Sequence, residues 1–437
     1  MARLPRPSQV VPRFRRAFVR SFLAFAHANQ FMPRIFLILM IASASVVAQE
    51  VQLTLETAPA YALRHNPVLA AARFRIDEAR GRFRQAGRLA NPELGLEFDR
   101  NTREAEGALS LTLTQRFPVT ARLHLEKAVS RAELAAAEAE IRNAERKLTA
   151  EVQTVVIKLL ALGSQRALRE KQLGNSEELA GFTRRRVEAG EASSIDASHV
   201  EIEAGQLKTE LLQLGVEQFA LLGELRPMLG VAAGGDLVIS GRMPGLTSVP
   251  GGGTAPHARP DLEAAERTTE AARQTAALAR AQRWEDLSFG FKVAGERSED
   301  VPVGFESDTF LGIRLGVPLP LWNRNDGRIQ ETAAAARRAE KETEALASTI
   351  AAETRAARDA MRTLAAVVKE LDGQLLPKAG QLEQELREAY STGQTPLQDV
   401  LRARDRHLSL ERQRIEALRE FHLARIRYRA ATGRTNP

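Results

Sequence analysis

Two acidic residues occupy matched positions in the sequence and are of a type that can control the passage of ions. Asp196 and Asp399 each lie six residues after a glycine, at Gly190 and Gly393. The simpler interpretation is that acidic residues in the first turn of a helix are favoured by the helix dipole. Carboxylates gathered around a pore also screen ions by sign and can close it by pairing with arginine. We therefore take both aspartates as candidate entrance or gate residues, with these possible partners: Arg184, Arg185, Arg186 and Arg387.

The residue types that usually perform catalysis or bind metals do not occur at the spacings that catalytic or metal sites require. The seven histidines include no His-x-x-x-His pair, and the six methionines form no cluster. Such groupings are the usual mark of metal sites. The sequence has no G-x-S-x-G, P-loop or Rossmann glycine pattern, and it has no cysteine. We therefore expect no enzyme, no bound cofactor, no metal site, no disulfide and no acylated N-terminal cysteine.

The two halves of the chain resemble each other, which explains why the two aspartates correspond. Segment 66–72 matches segment 259–265, and the glycines at 190 and 230 match those at 393 and 433. Internal similarity of this kind indicates two copies of one structural unit. We predict a first repeat over residues 49–240, a Gly/Pro-rich connection over 241–258 and a second repeat over 259–437, with both repeats forming one integrated protomer.

Each repeat is predicted to be mostly helical. An opening helix is expected over 55–90 in the first copy and 261–283 in the second. A long proline-free segment runs from Ala121 to Ala189, and its apolar residues recur at alternating steps of three and four, as in coiled coils. A helix of about 70 residues reaches roughly 105 Å. We expect Pro377 to bend the corresponding helix of the second copy.

The two matched glycines are predicted to end the long helices in left-handed turns. The return helix is expected to begin at Ser193 or Ser194 in the first copy. In the second copy it is expected to begin at Thr395, with Pro396 as the first helical residue.

Two strands are predicted between the opening helix and the long helix of each repeat. Apolar and polar residues alternate over 94–99, 109–114, 287–293 and 311–317, which indicates strands with one apolar and one polar face. Prolines at 118, 318 and 320 should end them, and Arg100–Ala108 and Gly295–Thr309 are predicted as polar loops. Trp322, just past the last strand, is assigned to a membrane interface or to a core.

The sheet is interpreted as a membrane sheet, with a half-buried sheet of a soluble domain as the alternative. Apart from the N-terminal region, no stretch is apolar enough for a membrane helix, and a membrane protein without such helices must be a β-barrel. The smallest barrels have about eight strands. Four strands per chain therefore require several chains to combine.

The N-terminal region explains the positive charge of the chain. The formal net charge is +7, but residues 1–48 hold seven arginines and no acidic residue, so the remainder is balanced and no nucleic-acid partner is implied. Arg34 precedes the apolar run Ile35–Ala42, and Val46 and Ala48 fit a cleavage site. We predict a signal peptide over 1–48, with a buried helix as the alternative. Met32 is a second possible start.

At this point the residues resemble a known family. The opening Leu53–Arg73, its echo from Arg259, the two glycine turns and the ending Gly393–Gly433 are similar to the TolC family of outer-membrane efflux proteins. The resemblance implies a homotrimer with a long α-helical coiled-coil barrel in the periplasm and a twelve-stranded β-barrel in the outer membrane. Three copies of Asp196 and Asp399 would then meet at the periplasmic entrance.

The resemblance also implies partners and a cargo. A membrane-fusion adaptor would dock at the helical turns, for which the candidate residues are Val187, Gly190, Tyr390 and Gly393, and a resistance-nodulation-division pump in the inner membrane would supply energy. The segment Pro318–Ile329 resembles the cobalt-zinc-cadmium resistance branch, so the expected cargo is divalent heavy-metal cations. Drugs or secreted proteins are the alternative cargo, and a periplasmic coiled-coil scaffold without a pore is the alternative of another class.

Overall fold

The computed structural model describes residues 51–102, 106–191, 193–232, 234–251, 259–300 and 304–433. The predicted signal peptide over 1–48, residues 252–258 of the predicted connection, His27 and His257 lie outside these ranges. The described helices are α1 Thr57–His65, α2 Pro67–Gln85, α3 Arg122–Glu188, α4 Ser194–Leu229, α5 Pro260–Ala281, α6 Asp326–Glu370, α7 Leu376–Ser391 and α8 Leu397–Ala431. The strands are β1 Val51–Leu53, β2 Glu93–Arg100, β3 Gly107–Phe117, β4 Leu237–Ile239, β5 Leu287–Asp300 and β6 Gly304–Gly316.

The expectation of a mainly helical chain with four longer strands is confirmed. Helix α3 is continuous over 67 residues, which corresponds to about 100 Å at about 1.5 Å per residue. No helix in the described part of the chain is long and apolar enough to cross a membrane. The helices pack in two series that are open at their ends, α2–α3–α5–α6 nearer the sheet and α4–α3–α8–α7 toward the turns, and α6 also packs against α8.

The opening helix of the first half is broken, and the prediction of one helix over 55–90 is wrong. Asn66 ends α1, and its side chain accepts a hydrogen bond from the backbone N–H of Leu69 at 2.7 Å, which caps α2. Pro67 then occupies the first helical position, where its missing N–H carries no cost. The Asn66 amide also donates to the carbonyl of Met228 at 2.8 Å, so the break is fixed to the end of α4.

The second long helix is interrupted next to Pro377, where the sequence analysis predicted a bend. Residues Leu371–Leu375 form a π-helical turn between α6 and α7, immediately before Leu376 and Pro377. Proline cannot donate to the preceding turn and its ring crowds the carbonyl before it, and a wide turn relieves both problems. The return helix α8 begins at Leu397 with Pro396 as its N-cap, one residue later than predicted, because the backbone of Pro396 is extended rather than helical.

Four strands form one antiparallel sheet in the order β2-β3-β5-β6. The segment Gly295–Thr309 is not a loop as predicted. Strands β5 and β6 stay paired through Asp300 and Gly304, because the alternation of side chains continues although the residues become polar. Strands β2 and β6 are the two edges. The strand ends at Glu93, Phe117, Leu287 and Gly316 lie together beside the helices, and we call this end the helix-side rim.

A second, very small sheet was not predicted. Strands β1 and β4 pair in parallel over three residues each. They cover an apolar cluster in which Val152, Val155 and Val156 of α3 contact Leu225 and Leu229 of α4. The pair joins the start of the first half to its end, just before the Gly/Pro-rich connection.

A network of charges joins four helices, with Arg146, Arg259 and Asp261 largely buried and Glu353 exposed. Arg146 of α3 donates to the carbonyl of Ala430 in α8 at 2.7 Å and lies 3.6 Å from Asp261 at the start of α5. Arg259 binds Asp261 and donates to Glu353 of α6 at 2.6 Å. Burial acts to raise the pKa of the Asp261 carboxyl, but the hydrogen bond and positive charge of Arg259 outweigh it, so this pKa lies below its usual value. The network therefore holds charged groups at a junction of both halves.

Gly230 ends α4 at a point of close approach. Its φ is 69°, a left-handed value that suits glycine. A Cβ at this position would overlap the carbonyl oxygen of His65, the last residue of α1. Gly190 also has a left-handed φ, 77°, but open space surrounds the position of its missing Cβ.

We expect Gly230→Ala to destabilise the protein clearly more than Gly190→Ala. Both substitutions incur the cost of a left-handed alanine, roughly 1–2 kcal/mol, and only the first adds a backbone overlap. The measurement is the apparent melting temperature of the purified protein in detergent, followed by circular dichroism. Equal shifts for the two variants would show that α1 does not pack on α4 as described.

Candidate functional site

The four-stranded sheet has one strongly apolar face. Side chains of neighbouring strands lie in rows, such as Leu94, Leu113, Phe291 and Ile313. They are exposed despite being apolar, with Leu96 at 71% and Ile313 at 74%. A contiguous exposed apolar face of this kind marks a surface that contacts lipid or another protein.

The opposite face of the sheet carries charged side chains in several rows. Lys292 and Arg314 lie nearer the helix-side rim, where Glu93 shares the row of Arg314. Further along the strands one row holds Asp99, Glu296 and Asp308, and the β5–β6 pair continues beyond it. Glu296 and Asp308 lie directly opposite each other on adjacent strands. Like charges in that position destabilise a sheet. This acidic row is therefore a candidate functional feature, and we keep that name for Asp99, Glu296 and Asp308.

The sequence analysis missed the acidic row because it treated residues 295–309 as a loop. The available signal was the alternation itself. Glu296 continues the polar phase set by Ser288, Gly290 and Lys292 at steps of two, and period-two alternation does not depend on which polar residue appears.

The two helical turns have the same geometry. Gly190 and Gly393 have φ values of 77° and 75°. Gly190 N–H donates to the carbonyl of Val187 at 3.0 Å, and Gly393 N–H donates to that of Tyr390 at 3.1 Å. The left-handed helix ends predicted from the glycines are present. In the first turn, Ser193 caps α4 by accepting from the N–H of Ile195 at 3.2 Å.

The four candidate arginines do not pair with the two aspartates within the described residues, although Asp399 pairs with Arg402. Arg184 pairs with Glu201 of α4, and Arg186 lies 3.5 Å from Glu191. Asp399 lies 3.6 Å from Arg402 and accepts from the Thr395 hydroxyl at 3.4 Å. Asp196 is half-buried, and Arg185 and Arg387 are exposed on α3 and α7. The structure thus places all six gate candidates at one end of the helical hairpins without joining them.

Tyr390 lies inside the hairpin region rather than on its surface. Its side chain is 7% exposed and packs with Ala180, Val200, Leu397 and Val400. The Arg186 guanidinium lies 5.4 Å from the ring centroid. Tyr390 therefore supports the turn from within, and its ring is not a docking surface. Of the other docking candidates, Val187 is half-buried, and Gly190 and Gly393 are exposed.

No group of three or more His, Asp or Glu side chains among the described residues lies close enough to hold a metal ion. The nearest arrangement to such a site is His407, whose Nδ1 lies 2.6 Å from Glu383 and whose Nε2 lies 3.9 Å from Glu411. This group of side chains is a structural contact between α7 and α8.

Comparison with known proteins gives one family and several related structures. Residues 58–231 match the family model described as outer membrane efflux protein. The chain is similar to the structure of CusC, with 17% identity, coverage of 87% of this chain and 92% of that chain, and a TM-score of 0.72. It is similar to VceC from Vibrio cholerae, with 21% identity, 87% and 96% coverage and a TM-score of 0.69.

The CmeC channel from Campylobacter jejuni is similar too, with 14% identity, 87% and 86% coverage and a TM-score of 0.73. No curated protein matches the sequence. At these identities the structural likeness shows the fold, and it extends well beyond the segment that the family model matches. The match to the outer membrane efflux protein model therefore covers residues 58–231, less than half of the chain, and the solved structures show the shared fold over most of its length.

Proposed function

We propose that this protein is the outer-membrane exit duct of a tripartite efflux system and that it exports divalent heavy-metal cations. The observation that best supports a duct is that the sheet is not closed. Its four strands leave free edges at β2 and β6, and one of its faces is apolar and exposed. Three copies joined edge to edge would give twelve strands, an accepted size for a membrane barrel. The apolar face would then contact lipid and the polar face would line the pore.

The helices support the same closure. In the series α4–α3–α8–α7, α4 and α7 are the open ends, and in α2–α3–α5–α6 the open ends are α2 and α6. Each open end of one copy would meet the opposite open end of the next, as β2 would meet β6. A head-to-tail interface closes into a ring when its rotation is a simple fraction of a turn. The long helices would then enclose a passage on the periplasmic side.

The acidic row supports a cationic cargo. In a trimer the row contributes nine carboxylates to one ring of the pore, and rings of Asp and Glu favour cations. The repulsion between Glu296 and Asp308 is reduced whenever cations occupy the ring. The resemblance of Pro318–Ile329 to the cobalt-zinc-cadmium resistance branch points to the same cargo. Drugs or secreted proteins remain the alternative cargo for the same duct.

A deletion strain should become sensitive to one or a few of zinc, cobalt, cadmium, nickel, copper and silver, and the wild-type gene should restore tolerance. A triple variant, Asp99→Asn/Glu296→Gln/Asp308→Asn, should restore it only partly, because the ring loses its charge. Glu296→Asp, which keeps the charge, is the matched control, and immunoblots check that all variants reach the same level.

Sensitivity to drugs without sensitivity to metals would exclude the metal cargo and leave the duct. No sensitivity to either, together with gel migration that heating does not change, would favour the periplasmic scaffold without a pore.

We further propose that Asp196 and Asp399 form the periplasmic gate. Both lie in the first turn of their return helices, and trimerisation would bring six carboxylates to one level. Arg184 and Arg186 pair with glutamates of their own chain. Arg185 and Arg387 are exposed, and we propose that they pair with the aspartates of a neighbouring copy.

Asp196→Ala/Asp399→Ala should raise the conductance of the closed channel in planar bilayers, since the pairing that closes the entrance is lost. Glu224→Ala, an exposed carboxylate far along α4, is the control and should leave conductance unchanged. A double variant that conducts like the wild type would show that these aspartates serve only the helix dipole.

The two exposed turns are proposed as the docking site for a periplasmic membrane-fusion adaptor, which links the duct to an inner-membrane pump of the resistance-nodulation-division type. Gly190 and Gly393 have no side chains, so the backbone is exposed at both turns, and Val187 lies beside the first turn.

A photocrosslinking residue at Val187 should capture the adaptor in cells, because an adaptor that seals the duct must contact its turn end. The same residue at Gln85, exposed on α2, should not. Capture at both positions, or at neither despite good expression, would contradict docking at the turns.

A further inference from the structure

The segment that follows β6 continues the apolar face of the sheet beyond the sheet itself. Val317, Leu319 and Leu321 are 52%, 62% and 59% exposed, while Pro318 and Pro320 between them are half-buried. These three side chains keep the phase of Leu311, Ile313 and Leu315 on β6. The last residue of β6 in the ladder is Gly316, so the apolar stripe extends past the last paired residue.

The added segment brings the length of the stripe closer to the thickness of a membrane. From Leu311 to Leu315 it rises only about 13 Å at about 3.3 Å per residue. Continued to Leu319 it rises about 26 Å, or about 20 Å after a tilt of about 40°, against about 25 Å for the apolar band of membrane barrels. The turn closed by the Leu321 N–H and the Leu319 carbonyl then ends the extended run.

The prolines suit this segment to lipid. A backbone N–H without a partner is costly in hydrocarbon, and a segment outside the ladder risks several of them. Pro318 and Pro320 have no N–H to satisfy. Leu321 N–H donates to the carbonyl of Leu319 at 2.8 Å. The prolines therefore reduce the number of unpaired N–H groups that this segment would carry into an apolar environment.

Both tryptophans of the chain lie at the same rim. Trp322 is 94% exposed and follows the segment, and Trp284 is 48% exposed and precedes β5. Ser288 pairs with Gly316, so these two strand ends are adjacent. Arg283 directly precedes Trp284, Arg324 lies two residues after Trp322, and both arginines are exposed. Indole and guanidinium groups at one rim suit the headgroup level of a membrane, where anionic lipids attract arginine.

The rim has a fixed backbone beyond the tryptophan. Asn325 has a left-handed φ of 59°. Its N–H donates to the Asn323 side chain at 3.0 Å, and its own amide donates to the carbonyl of Ala279 in α5 at 2.8 Å. Trp322 is therefore held outward by a turn attached to a helix.

We propose that this rim binds a lipid leaflet with anionic headgroups: Leu319 and Leu321 extend the lipid-facing band, and Trp284 and Trp322 lie among the headgroups with Arg283 and Arg324. The inference rests on the proposed membrane sheet. A second copy is a poorer occupant, because it would pair with β6 along its edge, whereas this segment lies beyond the last paired residue of β6.

Intrinsic fluorescence tests the proposal directly, since the chain has two tryptophans. Trp284→Phe and Trp322→Phe each leave one of them in the full-length protein, reconstituted into phosphatidylcholine vesicles with or without phosphatidylglycerol. We expect both tryptophans to be quenched more by lipids brominated near the headgroup than by lipids brominated near the chain ends. Arg283→Gln/Arg324→Gln should lose the extra quenching that anionic lipid gives, while Arg337→Gln, an exposed arginine further along α6, should keep it.

A reference tryptophan separates this proposal from the membrane sheet. Ile313→Trp, in a background without the native tryptophans, should be quenched by bromines near the chain ends. If it is, and Trp284 and Trp322 are not quenched by any brominated lipid, the lipid-binding rim is overturned and the duct stands. Protection of Trp322 from both lipid and aqueous quenchers would assign the rim to a contact between copies. If Ile313→Trp is not quenched, the membrane sheet is overturned and the rim with it.

Discussion

The unpaired edges of the four-stranded sheet are the constraint on which the rest of this structure depends. Strands β2 and β6 each leave a row of N–H and carbonyl groups without a ladder partner on one side. In water such edges invite aggregation, and in lipid they are forbidden. The chain therefore requires copies of itself before its sheet is stable in a membrane. The same head-to-tail contact would continue through the helices, whose packing series are likewise open at both ends.

Closure of the sheet into a barrel would also explain why the chain keeps charges that are unfavourable in a single copy. Glu296 opposite Asp308 weakens the β5–β6 pair, and the row lies on the part of the sheet away from the helices. The rows nearer the helices carry Lys292 and Arg314 together with Glu93 and Glu97. In the proposed pore the acidic row would attract cations, and the mixed charges nearer the helices would limit how tightly they are held. Conduction needs this combination, because an ion that binds too strongly does not leave.

Much of the fold follows from patterns that depend on spacing alone. The long helices, the four strands and the glycine turns rest on steps of three and four, on alternation and on left-handed backbone positions, so they are visible in the sequence. The break at Asn66 was also visible, since Asn followed by Pro is a helix start signal, but the apolar pattern on both sides suggested one helix. The β1–β4 pair was not predictable, because three residues of each strand meet across 183 intervening positions. Nor were the ion pairs of Arg184 and Arg186, because long side chains choose among several carboxylates within reach.

The differences between the two halves show how one repeated unit can serve two environments. The first half has short strands and an uninterrupted long helix, whereas the second has strands of 14 and 13 residues, a π-helical turn and both tryptophans. The Pro-spaced segment follows only the longer hairpin. In the first half the chain passes from β3 to α3 within five residues, with a single proline at Pro118. The second half thus carries the features suited to a membrane boundary, while the first supplies the longest continuous helix. In a closed trimer the hairpins of the first and second halves would alternate around the barrel. Every second hairpin would therefore bring its tryptophans and Pro-spaced segment to the helix-side rim. Three such hairpins would hold the barrel at a constant depth in the membrane without the same residues in every hairpin.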